Sequence, residues 1–111
     1  MEDCIFCKII KGEIPSSKVY EDDQMLAFKD IAPKAETHLL VIPKKHLKNF
    51  NELADEEETL LTAHMMQKIP YIARSAGLSD YRLVTNNGAG AGQVVFHLHF
   101  HILGGSSLPG F

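Results

Sequence analysis

Val95-Phe96-His97-Leu98-His99-Phe100-His101-Ile102-Leu103 alternates between imidazole and apolar side chains from Phe96 onward. On a strand, successive side chains point to opposite faces, so His97, His99 and His101 share one face, about 6.5–7 Å apart. Phe96, Leu98, Phe100 and Ile102 share the other, where core packing accounts for them. Core packing does not account for three imidazoles in a row, because each buried ring needs partners for its polar nitrogens. Imidazole serves as acid, base, nucleophile and metal ligand. A metal taking two or three of the rings fits such a row, as in catalytic zinc sites. So does one ring attacking phosphorus, with a neighbour fixing its tautomer and a carboxylate or carbonyl orienting it.

Working outward, Val94 to Leu103 reads as the last strand and Tyr81 to Thr85 as its hairpin partner. Between them, Asn86-Asn87-Gly88-Ala89-Gly90-Ala91-Gly92-Gln93 carries an Asn-Gly turn signal. Its backbone amides, with Asn86 and Gln93, also suit a phosphate or sugar. Upstream, Asp55 followed by Glu56, Glu57 and Glu58 caps a long helix, with acids at the positive end of its dipole. Leu60, Leu61, His64, Met65, Ile69, Ile72, Ala73 and Ala76 recur at helical spacing as one apolar stripe. Pro70 predicts a kink, and Gly77 a stop. The run Leu61, Met65, Ile69 and Ile72 is long for a small core and suggests a second apolar surface to cover it. His64 reads as a satisfied core or interface histidine.

His38 to Ile42 is a nearly continuous apolar strand, so both its faces are covered. Lys18 lies in a short strand, Ser17 to Tyr20, that turns through Glu21-Asp22-Asp23-Gln24 into Met25 to Lys29. Cys4 to Gly12 reads as a short helix, with Phe6, Ile9 and Ile10 on one side. The order helix, hairpin, strand, long helix, hairpin predicts an α+β fold: an antiparallel sheet, one long helix on a face and a short N-terminal helix.

The chain of 111 residues and 12.4 kDa fits a single domain over 1–111. Its net charge of -3 and pI near 6.0 argue against bulk nucleic-acid binding. No apolar run approaches the ~18–20 residues of a membrane span. Met1-Glu2-Asp3 is unlike a secretory or transit leader, which predicts a cytoplasmic protein. Cys4 and Cys7 close almost no loop as a disulfide, so they read as reduced thiols. With two suitably placed histidines they admit a zinc reading; a redox reading is weaker, because no strand of a βαβ unit precedes them.

These residues resemble the histidine triad (HIT) family. His97-Leu98-His99-Phe100-His101-Ile102-Leu103 matches its His-x-His-x-His signature. The likeness extends through Ile5 to Ile10, Phe28 to Ile31, His38 to His46 and Gly92 to His97, and is strongest to the Hint branch of purine nucleoside phosphoramidases. The resemblance implies a homodimer with a sheet continuous across the interface. It also implies hydrolysis of purine nucleoside 5′-phosphoramidates to a nucleoside monophosphate and an amine, with no cofactor for catalysis. Carried over, His99 is the nucleophile, and His101 and His38 line the phosphate. Asp30 binds the ribose. Phe6, Ile9, Phe28, Ile31 and Leu40 wall the base pocket; Asn86, Gln93 and Val95 complete the nucleotide site.

The chain departs from the Hint pattern at Val94, where a serine is common, and in a tail, Gly104 to Phe111, that has no tryptophan; Phe111 is the one aromatic there. Some HIT proteins with Cys-x-x-Cys resemble a structural zinc pattern, in which Cys4, Cys7, His46 and His97 would be the ligands. Three rivals stand beside the phosphoramidase: a dinucleoside polyphosphate hydrolase, a metal-dependent hydrolase using the triad as ligands, and a nucleotide-binding scaffold.

Overall fold

The computed structural model describes residues 3–110, so Phe111 lies outside the described residues. Helix α1 (Ile5–Ile10) is followed by β1 (Lys18–Glu21), β2 (Met25–Lys29) and β3 (Thr37–Pro43). Helix α2 (Thr59–Ser75), β4 (Tyr81–Val84) and β5 (Phe100–Gly104) complete the order. The strands form one antiparallel sheet in the order β1-β2-β3-β5-β4. This is the expected α+β architecture.

Strand alternation sorts β2 and β3 onto two covered faces. Met25, Ala27, Leu39 and Val41 meet Leu61, Met65, Ile69, Ile72 and Ala73 of α2. Leu26, Phe28, Leu40 and Ile42 meet Phe6 and Ile9 of α1. The α2 stripe is thus covered inside the chain, by the face of the sheet it packs on. Leu60, at 81% exposure, and the exposed Ala76 fall off the stripe.

Asp55 does cap, its side chain accepting from the Glu57 amide, but residues 56–58 form a 3₁₀ turn and the α-helix begins at Thr59. The helix continues through Pro70. Proline leaves the Met66 carbonyl without a donor; Met66 and Pro70 both face solvent, where water serves.

The last strand is shorter than expected: only Phe100–Gly104 pairs, and residues 94–99 run outside the ladder. Opposite them β3 ends at Pro43, which has no N–H to give. The Leu98 amide instead donates to the Leu47 carbonyl at 2.7 Å. The alternation survives for Leu98, Phe100 and Ile102, which enter the α2-side core. It fails for Phe96, which is 42% exposed with the Lys48 ammonium over its ring.

His64 is satisfied, as expected, by a contact between α2 and the β1–β2 turn. Its Nε2 lies 2.7 Å from Asp22 Oδ2, the oxygen that also accepts from the Tyr20 hydroxyl at 2.7 Å. Asp22 Oδ1 accepts from the Gln24 and Met25 amides. Burial pushes the Asp22 carboxyl up, but the bonds from Tyr20, Gln24, His64 and Met25 outweigh it and hold the group at about 2. A depressed carboxyl stabilises the fold above its unfolded pKa, and the contribution is lost as pH falls toward about 2. Asp22→Ala is expected to lower unfolding free energy by about 1.5–3 kcal/mol near pH 7. The deficit against wild type in urea melts should shrink as the pH is taken below 4.

Candidate active site and metal centre

Backbone groups fix the tautomers of His38, His97 and His99, and His38 fixes that of His101. The Lys34 amide donates to His38 Nδ1 at 3.0 Å, so the proton of that ring is on Nε2. His38 Nε2 then donates to His101 Nδ1 at 2.9 Å, which leaves the His101 proton on Nε2. His99 Nδ1 donates to the His97 carbonyl at 2.8 Å, leaving Nε2 of His99 with a free lone pair. His97 Nε2 donates to the Pro43 carbonyl at 2.8 Å, so its Nδ1 is bare. One bare ring nitrogen and one N–H donor therefore stand side by side on His99 and His101, whose ring centroids are 5.1 Å apart.

Burial favours the neutral form of His38 and His101. It pushes His101 down to about 4, helped by the charges that His99 and His38 would carry. His38 is likewise lowered by burial, against the opposing pull of Asp30. A neutral imidazole is the nucleophilic and hydrogen-bonding form at pH 7.

His99 and His101 both line a cavity of about 390 Å³. Phe6, Ile9, Phe28, Ile31 and Leu40 line its apolar part, and Asp30, Asn86 and Val95 also border it. Asp30 Oδ1 accepts from the Ala32 amide at 2.8 Å, and Oδ2 lies 3.4 Å from His38 Nε2. The cavity also touches Ile14, Ser16, Lys34 and Val94, none of them among the expected site residues apart from the departure at Val94. Lys34 contributes through its amide, and a backbone donor leaves no mark in a sequence.

Gln93 is placed otherwise than expected. It is 5% exposed; its carboxamide oxygen accepts from the Gly88 amide, and its nitrogen donates to the Lys48 and Val95 carbonyls. It ties the glycine loop down and does not line the cavity. Gly88 and Gly92, both at φ +96°, make the loop's turns in a region that L side chains rarely adopt. Asn86 is left bordering the cavity beside Gly92.

His97 stands apart from the cavity, fully buried, with its bare Nδ1 turned toward Cys4, Cys7 and His46. Cys4 Sγ lies 3.2 Å from that nitrogen, Cys7 Sγ 3.5 Å and His46 Nδ1 3.1 Å; Cys7 Sγ is 3.3 Å from His46 Nδ1. A tetrahedron around zinc, with bonds of ~2.0–2.3 Å, has edges of about 3.3–3.8 Å. These four separations match such edges to within a few tenths of an ångström, all four donors lie within 4.8 Å of one another, and two thiols with two imidazoles are a closed structural set. The Pro43 carbonyl that holds the far nitrogen of His97 is the usual outer support of such a ligand. The four residues thus form a metal-binding cluster. Local structure prepares it: Cys4 caps α1, accepting from the Cys7 amide, and places both thiols at one end of the helix. Burial pushes the Cys7 thiol up to about 11, with Cys4 adding to the rise.

Comparison with known proteins agrees with this geometry. The model of the HIT domain family matches residues 11–108. Protein HitA of Neisseria gonorrhoeae is 51% identical over 105 residues, covering 94% of this chain and 97% of that protein. A HIT family hydrolase from Clostridium thermocellum shares the fold with a TM-score of 0.94 at 43% identity, over 100% of this chain and 97% of that one. A histidine triad protein from Clostridium difficile does so with a TM-score of 0.93 at 46% identity, over the same shares. The His-x-His-x-His row, the sheet that carries it and these likenesses agree: the chain belongs to the histidine triad family.

Proposed function

We propose that this chain hydrolyses purine nucleoside 5′-phosphoramidates to a nucleoside monophosphate and an amine, with His99 as the nucleophile. The observation that carries the reading is the bare Nε2 of His99, set by the 2.8 Å bond from Nδ1 to the His97 carbonyl, on a ring that lines a largely apolar cavity. In the first step Nε2 attacks phosphorus, the P–N bond breaks, and the amine leaves with a proton taken from a general acid. In the second step water attacks the nucleotidyl-histidine, releasing the monophosphate and restoring the ring. The Nε2–H of His101, backed by His38, suits the non-bridging oxygens as charge builds there. The apolar walls suit a base, and Asp30 beside them suits the ribose hydroxyls.

A hydrolase of dinucleoside polyphosphates is the second reading, because Val94 offers no hydroxyl to a leaving nitrogen and is 83% exposed at the cavity. A panel of an adenosine phosphoramidate and a diadenosine polyphosphate separates the two. Preferred turnover of the phosphoramidate, with a one-nucleotidyl adduct by intact mass in rapidly quenched samples, supports the first; preference for the polyphosphate overturns it.

Asp30→Ala is expected to weaken nucleoside monophosphate binding by about 1.5–3 kcal/mol, the range for hydrogen bonds to a charged group. An unchanged dissociation constant by calorimetry refutes the ribose role. We also assign a homodimer to the working enzyme. Edge strand β4 supports it, with Tyr81 and Leu83 exposed at 37% and 42%. Light scattering at micromolar concentration should return the mass of two chains, and a one-chain mass contradicts it.

A further inference from the structure

The nucleophile and the metal-binding cluster share a residue. His97 gives its ring to the cluster and its carbonyl to His99, two atoms of one side chain and backbone separated by a few bonds. That carbonyl sets which nitrogen of His99 is bare, yet it lies in residues 94–99, which no strand ladder holds. Gln93 holds the Val95 carbonyl and the Thr85 hydroxyl the His99 carbonyl, and between them His97 is placed by Nε2 to the Pro43 carbonyl at 2.8 Å, by the Leu98 amide to the Leu47 carbonyl at 2.7 Å, and by Nδ1 facing Cys4, Cys7 and His46. The last two are coupled, because His46–Leu47 and His97–Leu98 meet through both rings and backbone. Phe6, between the two thiols in sequence, packs edge-on against His97 at 5.9 Å and His99 at 5.1 Å between centroids. A shift of Cys4 or Cys7 is therefore passed to both rings.

We propose that Cys4, Cys7 and His46 are positioning residues for catalysis: joined with His97 on one metal ion, they hold the His97 carbonyl where it keeps His99 in the nucleophilic tautomer. The proposal rests on the reading of His99 as the attacking group. A cluster with a stabilising role alone would tie α1 to the sheet and leave the His99 ring indifferent to metal.

The test uses protein labelled with ¹⁵N at histidine, loaded with zinc or depleted by chelation. Ring-nitrogen NMR reads the His99 tautomer, and kcat and KM are measured on an adenosine phosphoramidate. With metal, His99 should show the single tautomer protonated at Nδ1. After depletion, with the far-UV spectrum preserved, a second tautomer or exchange broadening should appear at His99. In the same samples kcat should fall by roughly 10- to 100-fold with KM nearly unchanged, as for a misplaced reacting group.

If depletion unfolds the chain, His97→Gln in zinc carries the same test. Glutamine keeps a donor for the Pro43 carbonyl and surrenders the ring nitrogen, leaving Cys4, Cys7 and His46 to grip the ion. An unchanged His99 tautomer and kcat, in folded depleted protein or in His97→Gln, overturns the proposal. The tautomer needs no substrate to be read; failure of the loaded wild type to turn over the phosphoramidate counts against the substrate reading alone.

Discussion

His99→Ala is expected to lose turnover by roughly 10⁴- to 10⁶-fold, the scale on which removing a covalent nucleophile acts in other hydrolases. The loss should fall on kcat, because the change leaves the binding walls in place. Phe6 loses its edge-on contact with His99 but stays packed with Phe28 and Leu40 in the apolar cluster, and Asp30 is held by the Ala32 amide. Nucleoside monophosphate affinity should therefore stay near that of the wild type. Folding should survive too, since His99 is only half-buried and its ring makes one hydrogen bond, to the His97 carbonyl. His101→Ala is a useful contrast: His101 donates and does not attack, so residual turnover should be larger than in His99→Ala. Measurable single-turnover kinetics in His99→Ala, with a nucleotidyl adduct still forming, would place the nucleophile elsewhere.

The fold was readable where a short period governs it. The alternation through Leu98, Phe100 and Ile102, and through Leu39 and Val41, sorts core from site because a strand repeats every two residues. The length of β5 was not readable, because it is set by a partner: β3 reaches Pro43, and the Leu98 amide turns to Leu47. The stripe of α2 was seen, but a helical period says nothing of which surface covers it. The second apolar surface that covers it is the α2 side of the sheet.

In the site, the rings could be counted in the sequence but their tautomers could not. The Lys34 amide and the carbonyls of Pro43 and His97 decide them, and main-chain groups are common to every residue type. Gln93 is the opposite case: a side chain suited to a ligand is consumed by Gly88, Lys48 and Val95. The division of labour within the triad entered through the family resemblance, which paired His97 with two thiols about ninety residues away. The 3.2 Å and 3.5 Å separations from Cys4 and Cys7 give that pairing a physical basis.

Zinc content and thermal stability supply the second large expected effect. Protein purified without chelator should carry about one zinc per chain, as the closed set of two thiols and two imidazoles requires. Helix α1 has six residues, too short to persist on its own propensity. It is held by Phe6 and Ile9 in the apolar cluster and, at its first turn, by the thiols that face His46 and His97. The ion would thus join the N-terminal segment, the residues just past β3 and the approach to β5 at one point, adding to the apolar cluster in which Phe6, Ile42 and Val95 meet. Losing the ion should leave the α2-side core and the packing of Phe6 and Ile9 in place while loosening the first turn of α1, a cost on the order of 3 kcal/mol that corresponds to a melting-temperature drop of roughly 10–20 °C. Cys7→Ala should reproduce most of the drop and should make the protein insensitive to chelator. Clearly sub-stoichiometric zinc, together with a melting temperature that chelator does not move, would leave Cys4 and Cys7 as packed thiols and remove the ion from the fold.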